Sequence, residues 1–435
     1  MSVNRTGALY GRIWRWHFFA ALLVVPFVLW QAVTGTLYLW HEEIADWSFH
    51  DLRFVTPQPT RVSYEQQYAT ALTHHRGERL AFMQVSDQPQ RATLFSFSAA
   101  NGLAHPAFVN PYTGAYLGSV EPTRWLPGFT RSLHGGWPIN PWGSYLLELG
   151  ASWGIVMILT GLYLWWPVTA NRFSGVLYPR LRGGSRVFWR DLHSIVGVYF
   201  ALIVLGFLLT ALPWTSFWGE RILRPIQQMT GQVAPTAVFF GGKRAHHAES
   251  SAHDSMQHAA LSIEALIARA RAQGARDLLE IWPLASDGPI NVRSRRTTAA
   301  SEVYVQLDRQ TGTVLARALW SDYPVVPKII ATGVDLHEGK FFGRANQIFN
   351  TVVAAALVWL AVTGFIGWYK RRPDGGLAAP PKRELSLPRA IVASGAAVCV
   401  VLPLLGLSVA VLYSLDRIAG RWMQRSRPVS ESVKR

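Results

Sequence analysis

The chain contains five apolar stretches, each about as long as a membrane-spanning helix, separated by more polar sequence. They occupy residues 16–40, 144–166, 192–213, 346–369 and 389–413. A hydrocarbon layer about 30 Å thick needs roughly 20 apolar residues in a helix. Aromatic side chains cluster near the ends of the stretches, as in the aromatic belts of membrane proteins. The pattern predicts an integral membrane protein with four or five transmembrane helices.

The second and fourth apolar stretches belong to two copies of one repeated unit. Each is preceded by a Leu-His-x-Gly motif, which contains His134 or His337, and each carries a Thr-Gly pair, which begins at Thr160 or Thr363. Both threonines lie 26 residues after their histidine, so the copies align without a gap. Internal repeats are common in membrane proteins, where the copies pack around a pseudo-symmetry axis. We therefore predict a duplicated helix bundle.

The first and third stretches supply the other half of each repeat. His17 lies at the start of the first, two residues after an arginine, and His193 lies at the start of the third, three residues after an arginine. The fifth stretch has no counterpart in the repeat and contains Pro403, which favours a kink or a re-entrant turn. We predict that the fifth stretch is a further crossing, followed by a basic tail at residues 414–435, and that cofactor binding does not need it.

The two long segments at residues 41–143 and 214–345 repeat the same order of elements. Each begins with a helical pattern, continues with short runs of alternating polar and apolar residues, and ends in a Thr-Gly turn flanked by strands. In the second segment, the apolar face of the helix is expected to consist of Leu261, Ala265, Ile267 and Ala268. The pattern predicts a helix and a small antiparallel sheet in each segment.

A polar stretch at residues 241–257 interrupts the second segment. In it and beside it lie His246, His247, His253 and His258, a set of imidazoles that raises the question of a metal site. The surrounding sequence is polar and of low complexity, which favours a solvated insertion over a folded site. We predict an exposed insertion without a metal site.

The net charge of +16 raises the question of nucleic-acid binding, and the placement of the charge argues against it. Basic residues are concentrated in the loops at residues 167–191 and 370–388, whereas residues 41–143 hold seven basic and eight acidic side chains. Positive residues of membrane proteins accumulate on the cytoplasmic side. The N-terminus and both basic loops are therefore predicted in the cytoplasm, with residues 41–143 and 214–345 outside it, and no nucleic-acid partner is expected.

Sequence motifs do not assign catalytic residues. The single cysteine, Cys399, excludes an intramolecular disulfide and a cysteine-ligated metal cluster. The chain has no H-E-x-x-H zinc motif and no phosphate-binding glycine loop. The first apolar stretch is too long for the core of a signal peptide and has no small-residue cleavage site after it, so it is predicted to be a retained helix. No G-x-G-x-x-G motif lies at a predicted strand–helix junction, so no nucleotide-binding domain is predicted in this chain.

Together these features resemble a known family. The tandem segments that end in a D/N-x-x-T-G turn resemble PepSY domains, and the helices with R-x-x-H or L-H-x-G at their ends and T-G-x-x-x-W within them are similar to the PepSY-associated transmembrane family. The resemblance covers roughly residues 10–372. It implies an α-helical, multi-pass protein of the bacterial inner membrane with two periplasmic α+β PepSY-like modules. Its iron-regulated, ferric-siderophore reductase branch implies haem b as the cofactor.

Four histidines are candidate axial ligands of haem iron, because neutral imidazole is the usual ligand of b-type haem. His17 and His193 begin helices that leave the cytoplasm, while His134 and His337 precede helices that return to it. We predict one haem between His17 and His193 near the cytoplasmic face, and a second between His134 and His337 near the outer face. The alternative for each is an interfacial histidine bonded to a carbonyl or a lipid headgroup. The duplicated register favours ligands.

His41 and the Thr-Gly pairs allow more than one interpretation. His41 lies 24 residues after His17, which places it at the outer face, either beside the outer haem and its acceptor or as an ordinary interfacial residue. The Thr-Gly pairs either make room for a haem or bring two helices into close contact.

These observations predict an inner-membrane di-haem protein with ferric reductase activity. It takes electrons from a quinol or a cytoplasmic reductase, and the resemblance implies that it passes them to a ferric siderophore or another ferric chelate. The alternative is a regulatory protein without redox activity, in which PepSY-like modules bind a peptide or protease and the helices anchor them in the bilayer. A third interpretation is haem handling without redox turnover.

Overall fold

A computed structural model describes residues 2–166, 174–240, 261–284, 288–295, 297–372, 380–381 and 387–425. The insertion predicted at residues 241–257 and parts of both basic loops lie outside the described residues. The chain divides into two compact units. The helical unit consists of Met1–Leu29, Pro141–Ile222 and Val358–Arg435. The sheet unit consists of Trp30–Asn140 and Leu223–Leu357.

Helices account for most of the described residues. In chain order the α-helices are α1 (Ser2–Leu39), α2 (His41–Ser48), α3 (His50–Arg53), α4 (Tyr64–His74), α5 (Leu126–His134), α6 (Trp142–Trp165), α7 (Gly184–Ala211), α8 (Arg224–Met229), α9 (Ala237–Phe240), α10 (Ile263–Ala272), α11 (Val325–His337), α12 (Arg344–Tyr369), α13 (Arg389–Val401) and α14 (Pro403–Arg425). Short 3-10 turns lie at Leu212–Trp214, Ala299–Ser301 and Trp320–Asp322, and a π-helical turn at Trp218–Leu223.

Among the described residues, four helical segments are long and apolar enough to cross a membrane. They are Gly7–Leu39, Trp142–Trp165, Ser185–Trp214 and Arg344–Tyr369. Each coincides with one of the first four apolar stretches of the sequence. Large apolar side chains on these helices, such as those of Leu22, Leu202 and Phe365, are exposed in the isolated chain. That exposure is expected for helices surrounded by lipid, where apolar side chains need no protein partner.

The fifth apolar stretch is not one continuous helix. It forms α13 and α14, which are separated at Leu402, because Pro403 has no backbone N–H and begins a new helix. Neither helix is among the four candidate spans, so a fifth crossing stays a prediction. Most of the stretch is exposed, but two of its residues pack within the helical unit, where Leu402 and Leu405 are buried against Ile155 and Leu212.

The strands of the two repeated segments form one sheet. They are β1 (Arg79–Ser86), β2 (Thr93–Ser98), β3 (Ala104–Val109), β4 (Tyr116–Ser119), β5 (Leu278–Trp282), β6 (Ile290–Arg295), β7 (Val303–Leu307) and β8 (Val314–Ala318). The strand order is β4-β3-β2-β1-β5-β6-β7-β8, and each neighbouring pair is antiparallel. We call β1–β4 with α4 the first module, and β5–β8 with α10 the second.

The prediction of a separate small sheet in each segment is wrong. Strand β1 pairs with β5, with Met83 opposite Ile281 and Val85 opposite Leu279, and all four side chains are buried. Alone, each sheet would present β1 or β5 as an unprotected apolar edge with unpaired backbone groups. Pairing the two edges satisfies those groups and buries the apolar side chains in one core.

The apolar face of α10 also differs from the prediction. The buried residues are Ile263, Leu266, Ile267 and Ala270, which follow the i, i+3, i+4, i+7 spacing of one helix face. Ala268 is exposed instead. The helix begins at Ser262, whose hydroxyl caps it by accepting a hydrogen bond from the Ala265 N–H at 3.2 Å.

Candidate functional site

His134 and His337 lie together in the sheet unit. His134 is the last residue of α5 and His337 is the last residue of α11, so each imidazole is placed by the end of a short helix. Their ring centroids are 6.3 Å apart and the ring planes are 79° from parallel. The structure therefore brings together the two residues that the repeat pairs.

The separation of these two rings fits a shared metal ion. Imidazole nitrogens bind metal ions at about 2 Å. The 6.3 Å between the centroids of His134 and His337 is compatible with both rings binding one ion at this distance. The donor set, two imidazoles, is the one expected for a low-spin haem.

His17 and His193 form the corresponding pair in the helical unit. They lie inside α1 and α7 and are close enough to interact electrostatically. Each ring lies against a Thr-Gly pair of another helix. His17 Nδ1 is 3.0 Å from the Thr160 hydroxyl oxygen, and His193 Nδ1 is 3.2 Å from that of Thr363. The second predicted pair is thus also brought together within one unit.

The same threonine contact is made to His134, whose Nδ1 lies 3.0 Å from the hydroxyl oxygen of Thr34. Thr34, Thr160 and Thr363 each donate their hydroxyl proton to the carbonyl four residues earlier, at 2.8 Å in all three cases. A hydroxyl has a single proton, so its oxygen must accept a hydrogen bond from the imidazole. The contact therefore places the proton of the neutral ring on Nδ1, which leaves Nε2 with the lone pair that binds a metal.

The glycine after each threonine makes room for the ring. A Cβ atom on Gly35, Gly161 or Gly364 would lie 3.2, 3.2 or 3.3 Å from the Cε1 atom of the facing histidine. These distances are tighter than an ordinary van der Waals contact. Each Thr-Gly pair is therefore a socket for an imidazole, with the threonine orienting the ring and the glycine accommodating it.

Burial keeps His134 neutral. It lowers the pKa of the imidazole to about 4, and the neighbouring His337 contributes in the same direction. At pH 7 the ring is therefore uncharged, which is the form that binds a metal. The nearby Glu338 carboxylate opposes the shift but does not reverse it.

A family model described as the PepSY-associated TM region matches residues 14–371. The chain belongs to this family. The match confirms the resemblance inferred from the sequence, and with the four candidate spans it identifies a helical membrane protein that also contains a β-sheet. It includes both histidine pairs and both modules. A comparison with curated proteins gives no match.

In this PepSY-associated TM protein, the contacts of His41 are with residues next to it in the sequence. It begins α2, stacks on Tyr38 with ring centroids 4.5 Å apart, and its Nδ1 contacts the Tyr38 carbonyl. Its Nε2 lies 3.5 Å from the Glu42 carboxylate. These contacts are those of a locally satisfied histidine, whose role beside an acceptor stays a prediction.

The half-buried Arg371 packs on Trp14, which lies three residues before His17 in α1. The guanidinium of Arg371 is 4.3 Å from the centroid of the Trp14 ring, and its Nε and Nη2 atoms are buried without a hydrogen-bond partner within the described ranges. Burial, and then the neighbouring Arg186, lower the pKa of Arg371. Buried guanidinium nitrogens without a hydrogen-bond acceptor are costly, so this position favours an anionic ligand group. Haem carries two carboxylates, and the site fits it.

The sequence Gly150-Ala151-Ser152-Trp153-Gly154 matches the G-x-S-x-G pattern of hydrolases, but it is not a nucleophile motif here. It lies in the interior of α6, whereas a nucleophile elbow needs a strand-to-helix turn. Both glycines serve helix packing instead. A Cβ on Gly150 would lie 2.6 Å from the Phe27 ring, and one on Gly154 would lie 3.1 Å from Leu208.

Thr34 and Gly35 are site residues that motif reasoning missed. The repeat contains a signal for Thr34, because it lies 17 residues after His17, just as Thr210 lies 17 residues after His193. Only the three-dimensional structure shows that Thr34 contacts His134, which is 100 residues away.

Proposed function

We propose that this protein holds two b-type haems and passes electrons across the membrane to a ferric chelate. The observation that carries the proposal is the presence of two histidine pairs, one in each unit. In three of these histidines a threonine orients the ring so that Nε2 bears the lone pair. A histidine at the membrane interface does not need such a threonine and glycine contact. The recurrence of this contact at three histidines supports a role as metal ligands.

Each part of the proposed site has a separate task. His17 and His193 would hold one haem, and His134 and His337 the other. The Thr-Gly sockets orient the rings before the cofactor binds, which reduces the entropy lost on binding. Arg371 supplies positive charge for a carboxylate near His17. When bound, haem b supplies a one-electron Fe(III)/Fe(II) couple whose potential depends on axial ligands and burial.

The proposed reaction is a transfer of single electrons. A quinol donor gives two electrons and releases two protons, and each electron reduces one ferric ion to the ferrous state. A cytoplasmic reductase is the other donor class. Ferric iron is the harder ion and is held more tightly by oxygen ligands such as those of a siderophore, so reduction releases the metal. The chain's described residues contribute ligands, orientation and exclusion of water.

The proposed orientation places the N-terminus and the basic loops in the bacterial cytoplasm and both modules in the periplasm, following the distribution of charge. We expect a cysteine at the exposed position Ser98, in a chain whose Cys399 is replaced by alanine, to react with an impermeant maleimide in intact spheroplasts. A matched cysteine at Arg182, in the basic loop, should react only after lysis. The reverse pattern would contradict the orientation.

Electron transfer can be measured in proteoliposomes that enclose a reduced quinol analogue, with a ferric siderophore and a ferrous-specific dye outside. We expect dye formation with the wild-type protein and its loss, by at least about tenfold, in the His134→Ala variant, because one ligand of the outer haem is absent. The His41→Ala variant is the matched control and should still form the dye, with at most a slower acceptor step. Equal rates in wild-type and His134→Ala vesicles would contradict the proposal.

A further inference from the structure

A second group of metal-binding side chains lies in the first module, apart from the paired histidines. It consists of His75, Glu78 and His105, whose ligand atoms all lie within 4.8 Å of one another. The three residues come from a turn and a strand that are distant in sequence. Their convergence is therefore a product of the fold.

The turn after α4 presents two of the three ligands. The helix ends at His74, and His75 follows as its capping residue, with its N–H donated to the Ala71 carbonyl at 3.2 Å. Gly77 adopts a φ of +85°, a backbone conformation that residues other than glycine rarely adopt. The turn at this glycine reverses the chain direction, so that Glu78 lies beside His75. Strand β1 begins immediately afterwards.

The third ligand, His105, is placed by the register of the sheet. It lies on β3 opposite Phe97 of β2, and the His75 ring stacks on that phenylalanine with centroids 4.5 Å apart. The rings of His75 and His105 meet edge to face at 4.8 Å. Phe97 therefore lies beneath the cluster, in a stacking contact with His75 and directly across the sheet from His105.

The polar contacts within the cluster converge on the carboxylate. Glu78 Oε1 lies 3.2 Å from Nδ1 of His75, and Glu78 Oε2 lies 2.8 Å from Nδ1 of His105. The other nitrogen of His75, Nε2, is 2.9 Å from the Tyr116 hydroxyl. A ring that binds a metal through Nδ1 must carry its proton on Nε2, and Tyr116 is positioned to accept a hydrogen bond from that proton.

The cluster has a buried side and an open side. The side chain of His75 is 3 % exposed, whereas those of His105 and Glu78 are 16 % and 30 % exposed. A metal ion could therefore enter past the carboxylate and retain water ligands on that side. Buried imidazoles with an accessible carboxylate are a common arrangement at metal centres that have open positions.

We propose that His75, Glu78 and His105 bind a divalent transition-metal ion of the Zn²⁺ or Fe²⁺ class. Two imidazoles and one carboxylate are a ligand set that suits these ions. Glu78 bridges both rings in the metal-free arrangement and becomes a direct ligand when the ion enters between them. The site is separate from the paired histidines and does not depend on haem.

The described residues of the second module do not repeat this ligand set, although the module has the same fold. The positive-φ glycines of the two Thr-Gly turns, Gly114 and Gly312, lie 198 residues apart. The same offset places Gln273, Arg276 and Val303 where the first module has its three ligands. The fold of a module therefore does not require these side chains, which favours a specific role for them.

The test uses the purified full-length chain in which the four insertion histidines are replaced by alanine in every variant, so that they do not add background binding. These are His246, His247, His253 and His258. Zinc bound after equilibrium dialysis is measured by elemental analysis. We expect one zinc ion per chain at the proposed site, over any zinc that His105→Ala still binds, and an affinity of this site at least about tenfold lower in His105→Ala and in Glu78→Gln.

His74→Ala is the matched control, because His74 adjoins the cluster and stacks on Tyr116 but is exposed and is not a member of the ligand set. It should bind zinc as the parent does. Thermal unfolding followed by circular dichroism provides a second measurement, in which zinc should raise the Tm of the parent and of His74→Ala but not that of His105→Ala. Equal zinc binding by the parent and His105→Ala would overturn the proposal, as would an equal loss in His74→Ala.

Discussion

Replacing His134 or His337 with alanine should remove about one haem per chain and leave the other haem low-spin. The reason is that both histidines of the pair belong to the sheet unit, with ring centroids 6.3 Å apart, while the other pair belongs to the helical unit. A lost imidazole leaves one axial position without a protein ligand. The same two variants should also lose reduction of an external ferric chelate, because the proposed exit site is gone.

Alanine at His17 or His193 should remove the other haem and leave the His134–His337 haem intact. Haem-to-protein ratios and low-spin electron paramagnetic resonance signals of the four variants measure both effects, and His41→Ala is the control that should retain both haems. The pairing is contradicted if His17→Ala and His134→Ala remove the same haem. It is equally contradicted if His41 proves necessary for a low-spin signal.

Filling the glycine of a Thr-Gly socket should displace a haem ligand without removing it. A Cβ on Gly364 would already lie 3.3 Å from Cε1 of His193, and the branched side chain of valine needs more room than a single Cβ. Overpacking of this kind costs about 1–3 kcal/mol. If the free energy of haem binding becomes less favourable by this amount, Gly364→Val should raise the Kd for haem by about one to two powers of ten.

The same helix supplies the control for this substitution. Gly367 lies in α12, three residues after Gly364, and a Cβ there has nothing within 4 Å. Gly367→Val should therefore bind haem as the wild type does, and neither change lowers helix propensity, since glycine is already a poor helix former. Titration of haem into the apoprotein, followed at the Soret band, measures the affinities. Equal haem affinities of Gly364→Val and Gly367→Val would contradict the role of Gly364 in accommodating His193.

The pairing of the histidines could be predicted from the sequence because long apolar helices have a regular rise and alternate in direction across a bilayer. Those two facts place His17 with His193 and His134 with His337 without any knowledge of side-chain contacts. The threonine partners could not be predicted in the same way. Which helix faces which histidine depends on the packing of the bundle, and Thr34 and His134 are 100 residues apart.

The arrangement of the two modules likewise depends on contacts between residues that are distant in sequence. Alternating polarity predicted strands in both segments, but the joining of the two modules through β1 and β5 depends on which strand edges meet, and that is not encoded in the pattern of one strand. The proximity of His75, Glu78 and His105 could not be predicted from the sequence for a similar reason. His105 lies beside the turn at residue 78 only because β2 and β3 pair in one particular register.

The central claim is that the chain holds two haems between two histidine pairs. It is tested most directly by the haem-to-protein ratio of the purified wild-type protein after expression with ample haem, measured together with its absorption spectrum before and after dithionite. We expect about two haem b per chain and a Soret band that shifts on reduction. Purified, folded protein without a Soret band would contradict it and would favour a membrane-anchored module that binds a peptide or a protease.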